Sequence, residues 1–284
     1  MLPVRVTAMK VTYRGVRGSV PSPGRRTLRY GGDTPCVVLE HGPSRLILDA
    51  GSGLRALGRD LAQEEEGDVD LLLSHVHWDH IQGLPFFAPM YSERWTIRVY
   101  GPQPDTTSLA QALALQMAPP YFPLHFAGNA RRLLVTELSL EPRHIGPFEV
   151  RSVLLRHPGR TFGYRIRPSG GGPSVSYLTD NELGTSHTWG ALVTFLRDTD
   201  VLVHDAMFTQ READARVGWG HSSIERVVDL AVAAGVKRVT LFHHDPNRSD
   251  DELDRLLEGA RERAARIQTS LTVDAAIEGR SLEL

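Results

Sequence analysis

Four potential metal ligands stand close together in one short segment of the chain, SHVHWDHIQG. They are His75, His77, Asp79 and His80, and they follow the continuously apolar run VDLLLS, which predicts a strand buried on both faces. Residues at positions i and i+2 of an extended segment point the same way, so His75 and His77 can bind one metal ion. Asp79 and His80 follow in a turn and can face a second ion. These ligand types at this spacing favour a metal site over a group of surface or core histidines.

Further ligand types follow other predicted strands. His157 follows the apolar run VRSVLL, Asp180 follows SVSYLT, and the pair His243 and His244 follows RVTLF. Ligands at strand ends are held by the rigid sheet behind them, so this shared context groups these residues with the first segment. Three histidines lack that context and are predicted to lie at the surface or in a pocket wall: His125, His144 and His187.

The elements that must position these side chains predict an α/β (α+β) protein. Each half of the chain is rich in strand-like runs and also contains amphipathic helical segments. This order predicts four layers, an αβ/βα sandwich of two mixed sheets flanked by helices. The segment PSGGGPS, residues 168–174, joins two strand-like runs and is predicted to be a hairpin loop rather than a linker. We therefore predict a single domain over residues 1–284.

Two helix starts in the second half are predicted from local sequence. Ser222 and Glu225 have the spacing of a capping box, and so do Ser249 and Glu252. Each pair precedes a segment with apolar residues at helical spacing.

Composition and charge exclude several classes of protein. The 284 residues have the apolar and charged content of a soluble globular protein, and the formal net charge of −2 gives no electrostatic case for nucleic acid or membrane binding. Cys36 is the only cysteine, so no intrachain disulfide forms. No apolar run approaches the roughly 18 residues of a membrane span. These features predict a cytoplasmic protein without a membrane segment.

The order of the short motifs resembles that of the metallo-β-lactamase superfamily, in particular its branch of ribonuclease Z and the cyclic phosphodiesterases. The resemblance extends over nearly the whole chain and implies the metallo-β-lactamase fold. The motifs that carry it are LILDAGSG, SHVHWDHIQG, RHPG, YLTDNE, VLVHDAMF, GHSS and TLFHHDP.

The resemblance implies a binuclear metal centre with three groups of ligands. The first metal ion would be bound by His75, His77 and His157. The second ion would be bound by Asp79, His80 and His243, and the bridging carboxylate would be Asp180. His244 stays open as the alternative to His243, or as a substrate contact. Asp49 in the LDAG segment would orient the cluster.

Two divalent ions at such a site imply hydrolysis. Their shared hydroxide would attack phosphorus, and Asp79 would act in catalysis as well as in binding. Zinc suits a donor set of imidazole and carboxylate, although manganese and iron also accept it. Asp205 in HDAMF would orient His221 in GHSS, and His221 would act on the phosphate or protonate the leaving oxygen. Alternatively, His221 has no catalytic role and merely precedes the start of a helix. His204 is either a structural or a catalytic residue.

The sequence favours a small phosphodiester such as a cyclic nucleotide as the substrate. Only 22 residues separate His157 from Asp180, so the long basic arm that ribonuclease Z uses for tRNA is absent there. The aromatic segment APPYFPLHF, residues 118–126, offers Tyr121, Phe122 and Phe126 for stacking on a base. These rings have the alternative of packing over a core edge or a dimer interface. Trp78 either faces the pocket or packs below the metal loop, and its size favours packing.

Three other functions stay open. The same fold accommodates hydrolases of carboxylic esters, lactones or thioesters, and also tRNA 3′-processing nucleases. A metal-bearing ligand sensor without turnover is the non-enzymatic alternative. A homodimer is expected by analogy with ribonuclease Z alone.

Overall fold

Two mixed β-sheets of seven strands each lie face to face in the described part of the chain. The structure, a computed structural model, describes residues 8–123, 133–184, 186–267 and 270–284. The first sheet contains β1 (Met9–Gly15), β2 (Cys36–His41), β3 (Ser44–Leu48), β4 (Gly67–Leu72), β5 (Trp95–Pro102) and β6 (Leu133–Leu138). The second contains β7 (Arg143–Ile145), β8 (Phe148–Leu154), β9 (Phe162–Pro168), β10 (Val175–Leu178), β11 (Val201–Asp205), β12 (Arg238–Phe242) and β13 (Thr272–Ala275). The last strand, β14 (Ser281–Glu283), returns to the first sheet and pairs with β1.

Strand direction brings the ends of several strands to one edge of the sandwich. The first sheet has the order β14-β1-β2-β3-β4-β5-β6, and its strands β3 to β6 are parallel. The second has the order β13-β12-β11-β10-β9-β8-β7, with β10 to β13 parallel. Strand β8 runs antiparallel to β9, which runs antiparallel to β10, so β8 and β10 end at the same edge. Six loops therefore lie at this edge: those after β3, β4, β8, β10, β11 and β12.

Helices cover the outer faces of both sheets. The first sheet is covered by α1 (Leu54–Leu61), α2 (Trp78–Ile81), the 3₁₀ turns Leu84–Phe86 and Ala88–Tyr91, and α3 (Leu109–Leu115). The second carries α4 (Ser186–Leu196), α5 (Gln210–Asp214), α6 (Ile224–Ala233) and α7 (Asp250–Ile267). Leu46 and Phe242 are buried between the sheets, whereas Leu57 of α1 and Val228 of α6 are buried in the two outer cores. The predicted four-layer sandwich is confirmed.

The local predictions had mixed outcomes. The 168–174 segment is the connection of the antiparallel pair β9 and β10, as predicted. The Ser249 and Glu252 box is present, with the Ser249 amide donating to Glu252 Oε2 over 2.8 Å. The predicted capping box of Ser222 and Glu225 is wrong. Helix α6 is capped by Ser223, whose hydroxyl accepts from the Arg226 amide over 3.2 Å. Ser222 instead donates its hydroxyl hydrogen to the carbonyl of Asn181. Helix α4 and strand β14 were not predicted.

A buried arginine holds the long connection between β1 and β2 against the end of the second sheet. Arg17 is fully buried, and its Nε donates to the Gly31 carbonyl over 2.9 Å. Its Nη1 donates to the carbonyls of Asp245 and Arg248 over 3.1 and 2.8 Å. Its Nη2 lies 3.5 Å from Asp250 Oδ1. Burial lowers the pKa of Arg17, and the carboxylate of Asp250 opposes that shift. The guanidinium thus joins two loops that are distant in sequence.

Replacing this guanidinium should destabilise the fold. Arg17→Met keeps the length of the side chain but leaves three carbonyls without their donor and removes the buried ion pair with Asp250. We expect the free energy of unfolding of the metal-free protein to fall by about 3–5 kcal/mol, as measured by urea denaturation. The matched control is Arg26→Met, because the Arg26 side chain is 72% exposed. It should change stability by no more than about 0.5 kcal/mol. Equal effects of the two substitutions would contradict this assignment.

Candidate metal centre

Three carboxylate or imidazole residues adopt an unusual backbone conformation at the shared edge of the sheets. Asp49 follows β3 with φ of 58°, Asp180 follows β10 with φ of 50°, and His243 follows β12 with φ of 57°. A left-handed conformation costs a residue with a Cβ roughly 1–2 kcal/mol. Such strain persists where the surrounding structure imposes it, and it is concentrated at functional sites. The chain therefore turns sharply at three strand ends that deliver polar side chains to one place.

The first group of potential ligands contains three histidines. Ligand nitrogens of His75, His77 and His157 all lie within 4.8 Å of one another. The Nδ1 of His77 is 2.9 Å from the Nε2 of His157. The Nδ1 of His157 donates to the Gly220 carbonyl over 3.0 Å, so the lone pair of this ring is on Nε2, the nitrogen that faces His77. The Nε2 of His75 is buried and has no hydrogen-bond partner among the described residues.

The second group contains Asp79, His80 and His243, whose ligand atoms also lie within 4.8 Å of one another. The Oδ2 of Asp79 lies 3.1 Å from the Nε2 of His243 and 3.3 Å from the Nε2 of His80. The Nε2 of His80 is fully buried, yet it makes no hydrogen bond within the described part of the chain. Carboxylate oxygens of Asp79 and Asp180 face this nitrogen, an arrangement that a bound cation would complete.

Asp180 lies between the two groups. Its Oδ2 is 3.0 Å from the Nε2 of His80 and 3.2 Å from the Nε2 of His243. Its Oδ1 is 3.6 Å from the Nε2 of His157, which belongs to the first group. The carboxylate is buried, so it faces both groups at once without access to bulk water.

The surroundings of these side chains shift their pKa values in different directions. Burial lowers the pKa of His75, His77 and His157, which keeps the three rings neutral. Burial also acts to lower the pKa of His80, but Asp79 and the other nearby carboxylates raise it well above its ordinary value. Burial acts to raise the pKa of Asp180, but His243 and His80 hold it well below its ordinary value. Three neutral imidazoles and the ionised carboxylate of Asp180 fit a divalent cation. At His80, a bound cation would replace the proton that the nearby carboxylates favour.

Asp49 orients His80. Its Oδ2 accepts hydrogen bonds from His80 Nδ1 over 2.8 Å, from the Ser74 hydroxyl over 2.9 Å and from the Tyr177 hydroxyl over 2.7 Å. Its Oδ1 accepts from the Ser74 amide over 2.7 Å. Because the Ser74 hydroxyl donates to Asp49, it accepts from His75 Nδ1 at 3.0 Å. Each histidine thus presents its Nε2 to the site, which is the role expected for Asp49.

A second oriented histidine stands beside the two groups. The Nδ1 of His221 lies 3.1 Å from Asp205 Oδ2. The Asp205 carboxylate is held in turn by the amides of Asn181, Met207 and Ser222, at 3.3, 3.1 and 3.1 Å. Burial acts to lower the pKa of His221, but Asp205 outweighs it and raises this pKa to about 9.

The ring of His221 is in contact with both ligand groups. It stacks on the ring of His243, with centroids 5.1 Å apart and planes at 21°, and it meets His157 edge-on at 5.3 Å. The structure therefore brings together all the side chains that the sequence proposed as ligands or catalytic residues: His75, His77, Asp79, His80, His157, Asp180, Asp205, His221 and His243.

His244 is not brought to this cluster. Its ring is buried, its Nε2 donates to the Ala276 carbonyl over 3.0 Å, and it packs edge-on against Tyr30. Burial lowers its pKa to about 3. The prediction that His244 contacts substrate is wrong, because adjacent residues at a strand end point in different directions. His204 is likewise fully buried, and its Nδ1 donates to the Asp205 carbonyl over 2.7 Å, which is a structural role.

The aromatic residues had different outcomes. Trp78 was expected to pack below the metal loop, but 67% of it is exposed, because it opens the short helix α2 beside the exposed His77. Tyr121 is 82% exposed, which leaves it available to a ligand. Phe122 packs against the outer core and meets Phe86 edge-on at 5.9 Å. The predictions for His125 and Phe126, and for the His187 side chain, lie outside the described residues.

Sequence reasoning missed a main-chain contact to the second group. The amide of Ser19 donates to Asp79 Oδ2 over 2.7 Å. Ser19 has φ of 63°, and a Cβ at the neighbouring Gly18 would lie 2.5 Å from the His243 ring. The only sequence signal was the glycine in the RGSVPS segment, because a backbone amide has no residue type that reports its role.

This geometry defines a class of protein. An αβ/βα sandwich with two His/Asp groups at one edge and a shared carboxylate is the arrangement of metallo-β-lactamase-fold hydrolases. Residues 44–244 match the family model of the β-lactamase superfamily domain, so the chain belongs to that superfamily. Among the described residues, no helix is long and apolar enough to span a membrane.

Known proteins of similar sequence and structure cover nearly the whole chain. Ribonuclease Z of Natronomonas pharaonis is 23% identical over an alignment 301 positions long, which covers 87% of this chain and 92% of that protein. The metallo-β-lactamase-fold protein YhfI of Bacillus subtilis is 20% identical, with a TM-score of 0.71 over 98% of this chain and 100% of that one. A diphosphatase of the PhnP family is 18% identical, with a TM-score of 0.69 over 97% and 98% of the two chains. The structural likenesses show the fold.

Removing the negative charge of Asp49 should weaken metal binding. Asp49→Asn keeps the shape of the side chain but loses the anionic acceptor that orients His80. We expect the affinity for zinc to fall by about 10–100-fold, as measured by competition with a chromophoric chelator. The control is Asp68→Asn, because the Asp68 side chain is 59% exposed and pairs with Arg98 away from the cluster. A folded Asp49→Asn variant that binds zinc like the control would disprove the orienting role.

Proposed function

We propose that this protein is a binuclear metal-dependent phosphodiesterase that acts on small phosphodiesters. The observation that carries the proposal is the position of Asp180, whose two oxygens face the two ligand groups while the oriented His221 stands beside them. The proposed ligands of the first ion are His75, His77 and His157. Those of the second are Asp79, His80 and His243, with Asp180 shared.

Zinc is the proposed metal. Five imidazoles and two carboxylates make a donor set that zinc favours, and manganese and iron also accept such donors. When bound, two divalent cations polarise the phosphoryl oxygens and lower the pKa of water. The unpartnered Nε2 atoms of His75 and His80 support the assignment, because buried imidazole nitrogens otherwise find hydrogen-bond partners.

The chain's own residues orient the water and protonate the leaving group. Water forms a new bond to phosphorus and loses its proton to the solvent, while the carboxylate of Asp79, which His80 and His243 keep ionised, orients the attacking water. The bond from phosphorus to the leaving oxygen breaks, and the Nε2 of His221 gives that oxygen a proton. Asp205 makes this possible because it holds the Nδ1 of His221, which fixes the ring and directs the other nitrogen to the reaction.

The charges beside His221 support a small substrate. A groove of about 680 Å³ opens next to this histidine. Its lining carries three arginines and four carboxylates: Arg156, Arg226, Arg263, Glu182, Asp214, Glu225 and Asp229. Arg156 and Arg263 are already paired with Glu182 and Asp229. A polyanion such as RNA binds surfaces of net positive charge, and neither this groove nor the net charge of −2 offers one.

RNA stays the second candidate substrate. The similarity to ribonuclease Z weakens the sequence-based prediction that nucleic acid is not bound. Cleavage of a tRNA precursor that falls steeply with salt would favour RNA, whereas salt-tolerant hydrolysis of a cyclic nucleotide would favour the small substrate. Hydrolysis of a carboxylic ester, lactone or thioester and a role as a ligand sensor also stay predictions. The single domain, the cytoplasmic location and the homodimer stay predictions too.

Metal removal should abolish the activity. We expect a chelator to reduce hydrolysis of bis(p-nitrophenyl) phosphate by at least about 100-fold, and zinc to restore it. His77→Ala should lose activity to the same extent without restoration, because one ligand is missing. The control is His144→Ala, which removes an exposed histidine that contacts Ser169 at 3.0 Å. Hydrolysis that persists after complete metal removal, or faster turnover of lactones or thioesters, would refute the proposal.

The proton-donor role of His221 predicts a dependence on the leaving group. His221→Ala should lower kcat by about 10²–10⁴-fold for a diester with an alcohol leaving group, which needs a proton. For p-nitrophenolate, which leaves without one, the loss should be much smaller. Asp205→Asn should show the same pattern with a smaller amplitude. Equal losses for the two leaving groups would mean that His221 acts on the phosphate instead.

A further inference from the structure

A short loop next to the candidate metal centre holds an exposed tryptophan in a fixed position. Trp219 lies between Gly218 and Gly220, whose φ angles are 88° and 84°. The Oε2 of Glu182 accepts hydrogen bonds from both glycine amides, over 2.7 and 3.0 Å. The Gly220 carbonyl accepts from His157, and a Cβ at Gly220 would lie 2.1 Å from the Nδ1 of that ring. The loop is therefore clamped against a proposed metal ligand.

The indole is also supported from the side of the loop. The guanidinium of Arg216 lies 5.8 Å from the centre of the Trp219 ring and 5.2 Å from the centre of the Phe208 ring. Its Nη1 donates to the Glu212 carbonyl over 3.2 Å. The Phe208 ring meets His221 edge-on at 5.7 Å. His221 is thus connected with Trp219 by a series of contacts through Phe208 and Arg216.

This support does not bury the tryptophan, which remains 62% exposed. Single exposed apolar residues are ordinary on protein surfaces. This one differs in that Glu182 holds its loop and Arg216 lies against its ring. Trp78, 67% exposed, stands beside His77. His77 contacts one nitrogen of His157, and the Trp219 loop contacts the other. Two exposed indoles therefore stand next to segments that meet at the same proposed ligand.

We propose that Trp219 determines specificity by stacking on a planar aromatic group of the substrate, a nucleobase, on the leaving-group side of the phosphorus. Trp78 supplies a second aromatic surface on the other side of His157. The inference rests on the proposed function and names the class of substrate, a nucleotide diester. A ring that is already fixed loses little conformational entropy on binding, so its stacking energy contributes to affinity.

The test compares two ligands that differ only by the base. Calorimetry on the zinc-loaded protein gives the dissociation constants of adenosine 5′-monophosphate and ribose 5-phosphate. We expect the nucleotide to bind about 10-fold more tightly or better. In Trp219→Ala this preference should largely disappear, while the affinity for ribose 5-phosphate stays the same. Trp219→Phe should restore most of the preference, because the benzene ring also stacks, and this variant shows that the loop is intact.

The control variant is Leu115→Ala, which removes a 59% exposed apolar side chain from α3 and should leave the preference intact. Equal binding of the two ligands by the wild-type protein would overturn the inference, as would a loss in Trp219→Ala that is the same for both ligands. Hydrolysis of bis(p-nitrophenyl) phosphate is measured in parallel. If the protein prefers the base but does not hydrolyse the diester, the proposed function is refuted and the stacking role of Trp219 stands. If it hydrolyses the diester without a base preference, the proposed function stands and the stacking role is refuted.

Discussion

One buried carboxylate, that of Asp49, joins the two sheets at the edge where the candidate metal centre lies. It is fully buried, and it accepts hydrogen bonds from Ser74 after β4 in the first sheet and from Tyr177 on β10 in the second. A buried charge is tolerated only when it is paired and fully hydrogen-bonded, so both sheets must keep this relative position. The same carboxylate fixes His80, so the fold and the proposed metal site depend on a single group.

The cluster concentrates charge and strain that would be unfavourable without a ligand. Asp79 and Asp180 are buried beside imidazole nitrogens, and two of the proposed ligands, Asp180 and His243, have left-handed backbone conformations. The two sheets hold these side chains in place, because the close-packed apolar core between the sheets resists rearrangement. The buried guanidinium of Arg17 holds the connection whose Ser19 amide reaches Asp79. Stability elsewhere in the fold offsets the cost of an arrangement suited to divalent cations.

The surroundings of the cluster are aromatic and of mixed charge rather than basic. The groove beside His221 contains carboxylates as well as arginines, and exposed indoles stand on segments that touch His157. Such a site favours stacking and local hydrogen bonding over long-range attraction of a polyanion. One fold supports many functions, so the fold alone does not set the substrate. The proposed substrate preference therefore rests on the loops around the cluster.

The sequence by itself determined the residue types of the site, because the spacing of His75, His77, Asp79 and His80 acts through local geometry along one extended segment and turn. It also predicted the sandwich, because periodic apolar runs report which faces are buried. Only the tertiary structure decided between His243 and its neighbour, since a positive φ at the strand end sends the two rings in different directions. It likewise decided the exposure of the indoles and the contact from the Ser19 amide. These features depend on the packing of segments that are distant in the chain, which no local pattern encodes.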